Sequence, residues 1–317
     1  MPEVIESVFV MVAVGEFLVG GLANGFIGVV NFIDWIKTGK VYSMDLILTA
    51  LAISRILLLG SIMSISIVFH LFLDFSASGE INIVESIWNL SNHLNAWIGT
   101  CLSFFYFIKI ANFSHPAFLW LKWRINKVVL GMIFICFLIA LIVNILLTEK
   151  MHQIYKSFAI HRNETKGTHK KQTNKSHEFF NLIFYYTGGF VPFIVSLFSC
   201  FLLVFSLWRH IQEMQRNATM SRNSSTEVHK KTMKSMVSFL VLFILYHVSI
   251  FMGTLSYILF ESHLLVKFSM IITSIYPLAH SIILIKTNNK LRQVSLRIFQ
   301  QFKHYPQGIW KSFCDIG

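Results

Sequence analysis

Charge is what this sequence has least of. Only 13% of its 317 residues are Asp, Glu, Lys or Arg, against 55% hydrophobic, and the mean hydropathy is +0.62. A soluble domain carries about twice that charged fraction. Too little polar surface remains to clothe a globule in water, so part of the solvent must be lipid. Cysteine is also scarce. Of the four, Cys101, Cys136 and Cys200 lie inside apolar runs, and with Cys314 they show no paired spacing. Neither a zinc site nor a disulfide framework is supported, and no metal or cofactor is expected. The N-terminus has Glu3 and Glu6 but no basic residue ahead of its first apolar run. That run reads as a retained helix rather than a cleavable signal. No internal repeat is found, which weakens the case for a transporter built from duplicated halves.

What the chain does have is apolar length. A membrane helix needs about 20 largely apolar residues, and seven stretches qualify, at about 8–33, 46–73, 81–111, 128–147, 179–208, 236–260 and 264–285. The expected fold is an all-α membrane protein, one seven-helix domain filling residues 1–317. Beyond the last span Leu291, Val294, Ile298 and Phe302 recur at helical spacing among Lys290, Arg292, Arg297 and Lys303. This predicts an amphipathic helix over about 288–302, lying in the lipid headgroup plane.

The net charge of +12 would suit nucleic acid, but the basic residues sit in the gaps between apolar runs rather than on a stripe interleaved with aromatics. They set topology instead, because basic loops stay cytoplasmic. With an extracellular N-terminus and a cytoplasmic C-terminus, 18 basic residues fall inside and eight outside. The gap at about 148–178 is the exception, carrying seven of those eight on the outer side. Two sequons in that gap, at Asn163 and Asn174, fit a glycosylated extracellular loop. The chain is expected at the plasma membrane.

Arg55 is the costliest residue, since an arginine in mid-membrane costs about 2.5–3.5 kcal/mol on insertion scales. It must face the bundle and find acceptors, for which Asn24 and Ser281 are the candidates; it reads either as helix glue or as part of a switch. Its place near the cytoplasmic half of its span argues against ligand contact. On the third span Glu85, Trp88, Asn89 and Asn92 follow i, i+3, i+4, i+7 and share one face. An aromatic with amides suits a small-molecule pocket. It equally suits hydrogen-bonded contact between helices.

Several motifs resemble one family. Leu51-Ala52-Ile53-Ser54-Arg55 is similar to the LxxxR element of the type 2 (bitter) taste receptors. The run from Phe105 to Ser114, followed by Phe118-Leu119-Trp120-Leu121-Lys122-Trp123-Arg124, resembles that family's third-helix end and second cytoplasmic loop. Leu203-Val204-Phe205-Ser206-Leu207, Ser225-Thr226-Glu227-Val228-His229, Tyr276-Pro277-Leu278-Ala279-His280-Ser281 and Asn289-Lys290-Leu291-Arg292-Gln293 match further elements in order. Ala23 and Lys286-Thr287 depart from the pattern.

The resemblance implies a G-protein-coupled receptor for small bitter molecules, acting through a gustducin-type heterotrimer. It favours the pocket reading for Trp88 and Asn92, adds Tyr246 and Met270, and keeps Asn89 beside them. Ile250, Gly253 and Tyr257 would extend the Tyr246 face outward. Met270 stands where some relatives carry a polar or acidic residue, which implies a more apolar pocket. His93 is expected to be a structural hydrogen bonder. Tyr106, Lys109, Lys122 and Arg124 are expected to face the G protein. An enzyme is not expected: His280 and Ser281 are adjacent, point in different directions from a helix and form no dyad. The nearest alternative is another seven-helix chemoreceptor, such as a vomeronasal pheromone receptor.

Overall fold

The computed structural model describes residues 2–71, 79–110, 115–164, 191, 193–206, 208–209, 212, 224–260 and 262–314. Among them are nine helices and no strand: α1 (Pro2–Thr38), α2 (Ser43–Leu71), α3 (Gly79–Ile110), α4 (Pro116–Trp123), α5 (Ile125–Glu164), α6 (Phe193–Ser206), α7 (Ser224–Phe260), α8 (His263–Thr287) and α9 (Asn289–Cys314). Five contain stretches long and apolar enough to cross a membrane, Ser7–Thr38, Ser43–Ile67, Ile125–Leu146, Met233–Gly253 and Leu264–Thr287. Seven helices, α1–α3 and α5–α8, make an all-α membrane bundle. α4 and α9 lie outside it.

α3 falls short in apolar content because it meets little lipid. No residue from Trp88 to Ile108 is exposed, and buried Asn89, Ser91, His93, Asn95, Thr100 and Ser103 stand among them. Contrast α5, where Leu130, Phe134, Ile135, Ile142 and Ile145 are all exposed and form a lipid-facing side. A helix sheathed by other helices can carry amides all round; a peripheral one carries them only on the side turned to its neighbours, as Asn144 of α5 does toward Ser86. α5 also continues to Glu164, past the loop expected from residue 148, since no Gly or Pro intervenes before Gly167. Asn163 is in this extension, and its side chain lies outside the described residues, as do Asn174 and Pro192.

Helix ends follow local chemistry. α1 stops at Gly39, whose φ of 62° is in the left-handed region and whose N–H donates to the Trp35 carbonyl at 2.9 Å. α4 was not foreseen inside its gap. It starts where Pro116 occupies the first turn and His115 Nδ1 accepts from Ala117 N–H at 3.3 Å. Asn288 ends α8, donating its N–H to the Leu284 carbonyl at 2.9 Å. Its side-chain oxygen then accepts from Lys290 N–H at 2.9 Å and Leu291 N–H at 3.3 Å, starting α9 on a new axis.

The buried apolar residues fall into two groups. One gathers Ile27, Ile47, Leu48, Leu51, Ile98, Leu102, Phe105, Val129, Leu284 and Leu291. The other gathers Leu58, Ile62, Ala96, Cys200, Phe239, Phe243, Tyr246 and Tyr276. On α2 and α8 polar residues separate the two, Arg55 and the His280–Ser281 pair, and on α3 Asn95 stands beside the point where they meet. A polar layer therefore crosses the bundle between an apolar compartment at one end and an aromatic one at the other.

Candidate functional site

Arg55 is fully buried at the centre of that layer, and at the midpoint of the apolar stretch Ser43–Ile67. It lies deeper than a span of 46–73 would place it. Its guanidinium can only donate, and every group it reaches is neutral. Nη1 donates to Ser281 Oγ at 3.0 Å, Nη2 to Tyr276 Oη at 3.3 Å and Nε to Asn95 Oδ1 at 3.4 Å. Nη2 also lies 2.5 Å from His280 Nδ1. Because the arginine supplies the proton, Nδ1 accepts and the ring N–H is on Nε2. The guanidinium carbon is 5.3 Å from the Tyr276 ring centroid, adding a cation–π contact.

The expected partners divide. Ser281 binds Arg55 directly. Asn24 sits one step further out, its Oδ1 accepting from Ser281 Oγ at 2.7 Å while its Nδ2 donates to the Gly20 carbonyl at 2.8 Å. The Ser281 hydroxyl also lies 2.7 Å from the Pro277 carbonyl, so its single proton is shared between two acceptors. Sequence reasoning missed Tyr276, His280 and Asn95. It dismissed His280 with Ser281 as a dyad, correctly. Their divergence is what lets a planar fork entering between them reach both.

Above this layer is the aromatic compartment. Tyr246 is fully buried, its ring 5.0 Å from that of Tyr276 and its hydroxyl donating to Asn92 Oδ1. Phe239, Phe243 and Tyr276 stack around it, and Trp88, Ile250 and Met270 pack on the rim. The structure thus brings Trp88, Asn92, Tyr246 and Met270 from three helices to one cluster. Asn89 is buried on a neighbouring side of α3, its Oδ1 without a partner among the described residues; His93, expected to be hydrogen-bonded, has Nδ1 in the same condition. Gly253 faces α8. A Cβ there would be 2.0 Å from Ser269 Oγ, because this glycine lets α7 close on α8. Ser249 Oγ donates to the Ser269 carbonyl at 2.6 Å across the same seam. The Glu85 and Tyr257 side chains lie outside the described residues.

Beyond Met270, α8 has an acidic partner that the sequence did not suggest. One turn along α8, Ser274 Oγ donates to Glu16 Oε2 on α1. At the opposite end of the bundle Tyr106 packs against the first apolar group, and exposed Lys109 has Nζ 5.5 Å from the Phe105 ring centroid. Arg124 holds its guanidinium carbon 5.5 Å from the Trp120 ring and 5.8 Å from Trp123. Lys122 is half-buried on α4. No group of three or more His, Cys, Asp or Glu positioned to hold a metal occurs among the described residues.

Known proteins match this sequence along nearly its whole length. Residues 1–303 match the family model described as taste receptor protein (TAS2R). Taste receptor type 2 member 7 of Papio hamadryas is 43% identical over 299 residues, covering 94% of each chain. Its counterpart in Macaca mulatta is 42% identical over the same length and coverage. Taste receptor type 2 member 8 of Gorilla gorilla gorilla is 43% identical over 294 residues, 92% of this chain and 95% of that one. This chain belongs to the TAS2R family of taste receptor proteins, the multi-pass, G-protein-coupled bitter taste receptors, which are not enzymes.

Proposed function

We propose that this receptor binds small, mostly apolar bitter compounds in the aromatic half of its bundle and activates a gustducin-type G protein. Trp88, Asn92, Tyr246 and Met270 line the pocket, with Asn89 beside them. The observation that carries this reading is the hydrogen bond from Tyr246 to Asn92 within the cluster that continues through Tyr276 to Arg55. A ligand competing for Asn92 frees the Tyr246 hydroxyl, and the stacked rings bring that change to the polar layer. Arg55, Ser281 and Asn24 then act as the switch, without touching ligand.

In the same reading the N-terminus is extracellular and the C-terminus cytoplasmic. The seven spans are α1–α3 and α5–α8, α9 rests on the membrane surface, and the loop at about 148–178 is extracellular and glycosylated at Asn163 and Asn174. The G protein docks beside Tyr106, Lys109 and Lys122, with Arg124 at the rim.

The test is calcium imaging against a panel of bitter compounds in cells carrying a chimeric G protein. Trp88→Ala and Asn92→Ala, matched for surface level, should respond with lower potency. Wild-type potency across several chemically distinct agonists would remove this face from the pocket.

A further inference from the structure

α4 has the wrong surface for a helix in water. None of its residues is buried, yet its sequence is Pro-Ala-Phe-Leu-Trp-Leu-Lys-Trp. Phe118 turns toward the bundle, its ring meeting that of Phe107 on α3 edge to face at 6.1 Å. Leu119, Trp120 and Trp123, at i, i+1 and i+4, share another arc about 100° wide. All three are more than half exposed, Trp123 by 83%. Two indoles and a leucine facing water would be an aggregation liability on a soluble protein.

Two observations say what covers this face. The first is continuity with the membrane. Only Arg124 separates Trp123 from Ile125, where the apolar stretch Ile125–Leu146 of α5 begins, so α4 is held at the depth where a span enters lipid. The second is the company it keeps. Among the described residues, five tryptophans and tyrosines are exposed: Trp35, Tyr42, Trp120, Trp123 and Trp208. Trp35 is in the last turns of α1, Tyr42 just precedes α2 and Trp208 follows α6. In a bundle of alternating direction these are one and the same end, the end where α3 finishes and α5 begins. Tryptophan and tyrosine gather at the headgroup layer, where an apolar ring with a polar edge meets both phases. The arginine completes the pattern. Its charged guanidinium lies over both indoles, and its N–H groups remain donors suited to phosphate.

We infer that α4 lies in the headgroup layer of the bilayer, with Leu119, Trp120 and Trp123 seated in lipid and Arg124 on the phosphate of an anionic phospholipid. The second cytoplasmic loop is then a membrane-held shelf rather than a free loop, and its height relative to the G protein is set by lipid.

The experiment uses the purified full-length receptor in vesicles of phosphatidylcholine with phosphatidylserine. Emission lost in a Trp120→Phe/Trp123→Phe variant, taken as wild type minus variant, reports the two indoles. That difference emission should be quenched strongly by lipid brominated near the headgroup, weakly by lipid brominated near the chain ends, and little by aqueous iodide. Replacing phosphatidylserine by phosphatidylcholine should reduce the shallow quenching in wild type but not in Arg124→Gln. As a second readout, Leu119→Cys in a Cys314→Ser background should resist a membrane-impermeant maleimide applied to the cytoplasmic face, while Ala117→Cys reacts. Strong iodide quenching with ready labelling at 119 would overturn the inference. So would iodide quenching that disappears only when G protein is added, which would make this face a protein contact.

Discussion

At the scale of single residues, one arginine organises the middle of the molecule. Among the described residues Arg55 has no carboxylate partner, so its charge is spread over the neutral acceptors of Ser281, Tyr276, Asn95 and His280. Removing it leaves several buried polar groups unpaired, each costing about 1–3 kcal/mol. If the network differs between resting and active states, Arg55→Ala changes basal signalling or maximal response beyond its loss of surface level. Signalling that falls only in proportion to surface level would leave Arg55 as structural glue. The Tyr246–Asn92 contact calls for a double-mutant cycle. One buried hydrogen bond contributes about 0.5–1.5 kcal/mol, a potency loss of roughly twofold to tenfold for Asn92→Ala, whereas Tyr246→Phe removes the ligand's competitor for Asn92 and should not lose potency. Because the two share one bond, the double variant should be no worse than the weaker single. Additive losses would mean that each contacts ligand independently. Residues of this kind were only partly readable beforehand. Trp88 and Asn92 came from one helical face weighed by the resemblance, Tyr246 and Met270 from the resemblance alone, and Arg55 from its cost in lipid. Tyr276 and His280 were on the page as motif letters, but nothing in a linear string shows that a guanidinium reaches between helices to both.

At the scale of elements, hydrophobic length was the dependable signal. α1, α2, α5, α7 and α8 all carry it because they border lipid. α3 does not, because its buried asparagines and histidine face neighbouring helices rather than lipid. α4 left no signal, since seven apolar and basic residues behind a proline read as loop. α9 shows how an element is tied to the rest. Lys290 Nζ is 2.7 Å from Asp45 Oδ2 at the start of α2 and 3.1 Å from Asp34 Oδ2 near the end of α1. All three side chains are partly exposed, so each pair contributes about 0.2–1 kcal/mol and is screened by salt. That suffices to orient a helix but not to fold one. Lys290→Ala should therefore speed amide exchange in the first turns of α9 and lower maximal response with little change in potency, and Lys290→Arg should restore both. Unchanged exchange in Lys290→Ala would show that Leu291 alone holds the helix. At the α7–α8 seam the limit is steric. A methyl at Gly253 would clash with Ser269, so Gly253→Ala should lower surface expression, and pairing it with Ser269→Gly should recover part of that loss.

At the scale of the whole molecule, topology rests on charge, and one loop opposes it. The region of about 148–178 holds seven basic residues, and the proposed orientation places it outside, because the 18 basic residues of the other gaps and the tail then stay cytoplasmic. Basic loops resist translocation, but the bias is summed over the chain and a single dissenting loop is carried across by the helices beside it. Structure adds a reason why this loop tolerates the mismatch. α5 runs on to Glu164 as continuous helix beyond its apolar stretch ending at Leu146, which lifts the charged residues away from lipid on a stem about 1.5 Å long per residue. Asn163 sits near the tip of that stem, some 17 residues past Leu146, a rise of roughly 25 Å by the same geometry. A transferase in the lumen needs such clearance, so Asn163 is the sequon best placed for glycan, with Asn174 beyond it. Asn163→Gln should increase gel mobility by one glycan, and the Asn163→Gln/Asn174→Gln variant should run where glycosidase-treated wild type runs. If wild type shows no glycosidase shift and antibodies reach a tag in this loop only after permeabilisation, the loop is cytoplasmic, and the assignment of every helix end to a membrane face reverses with it.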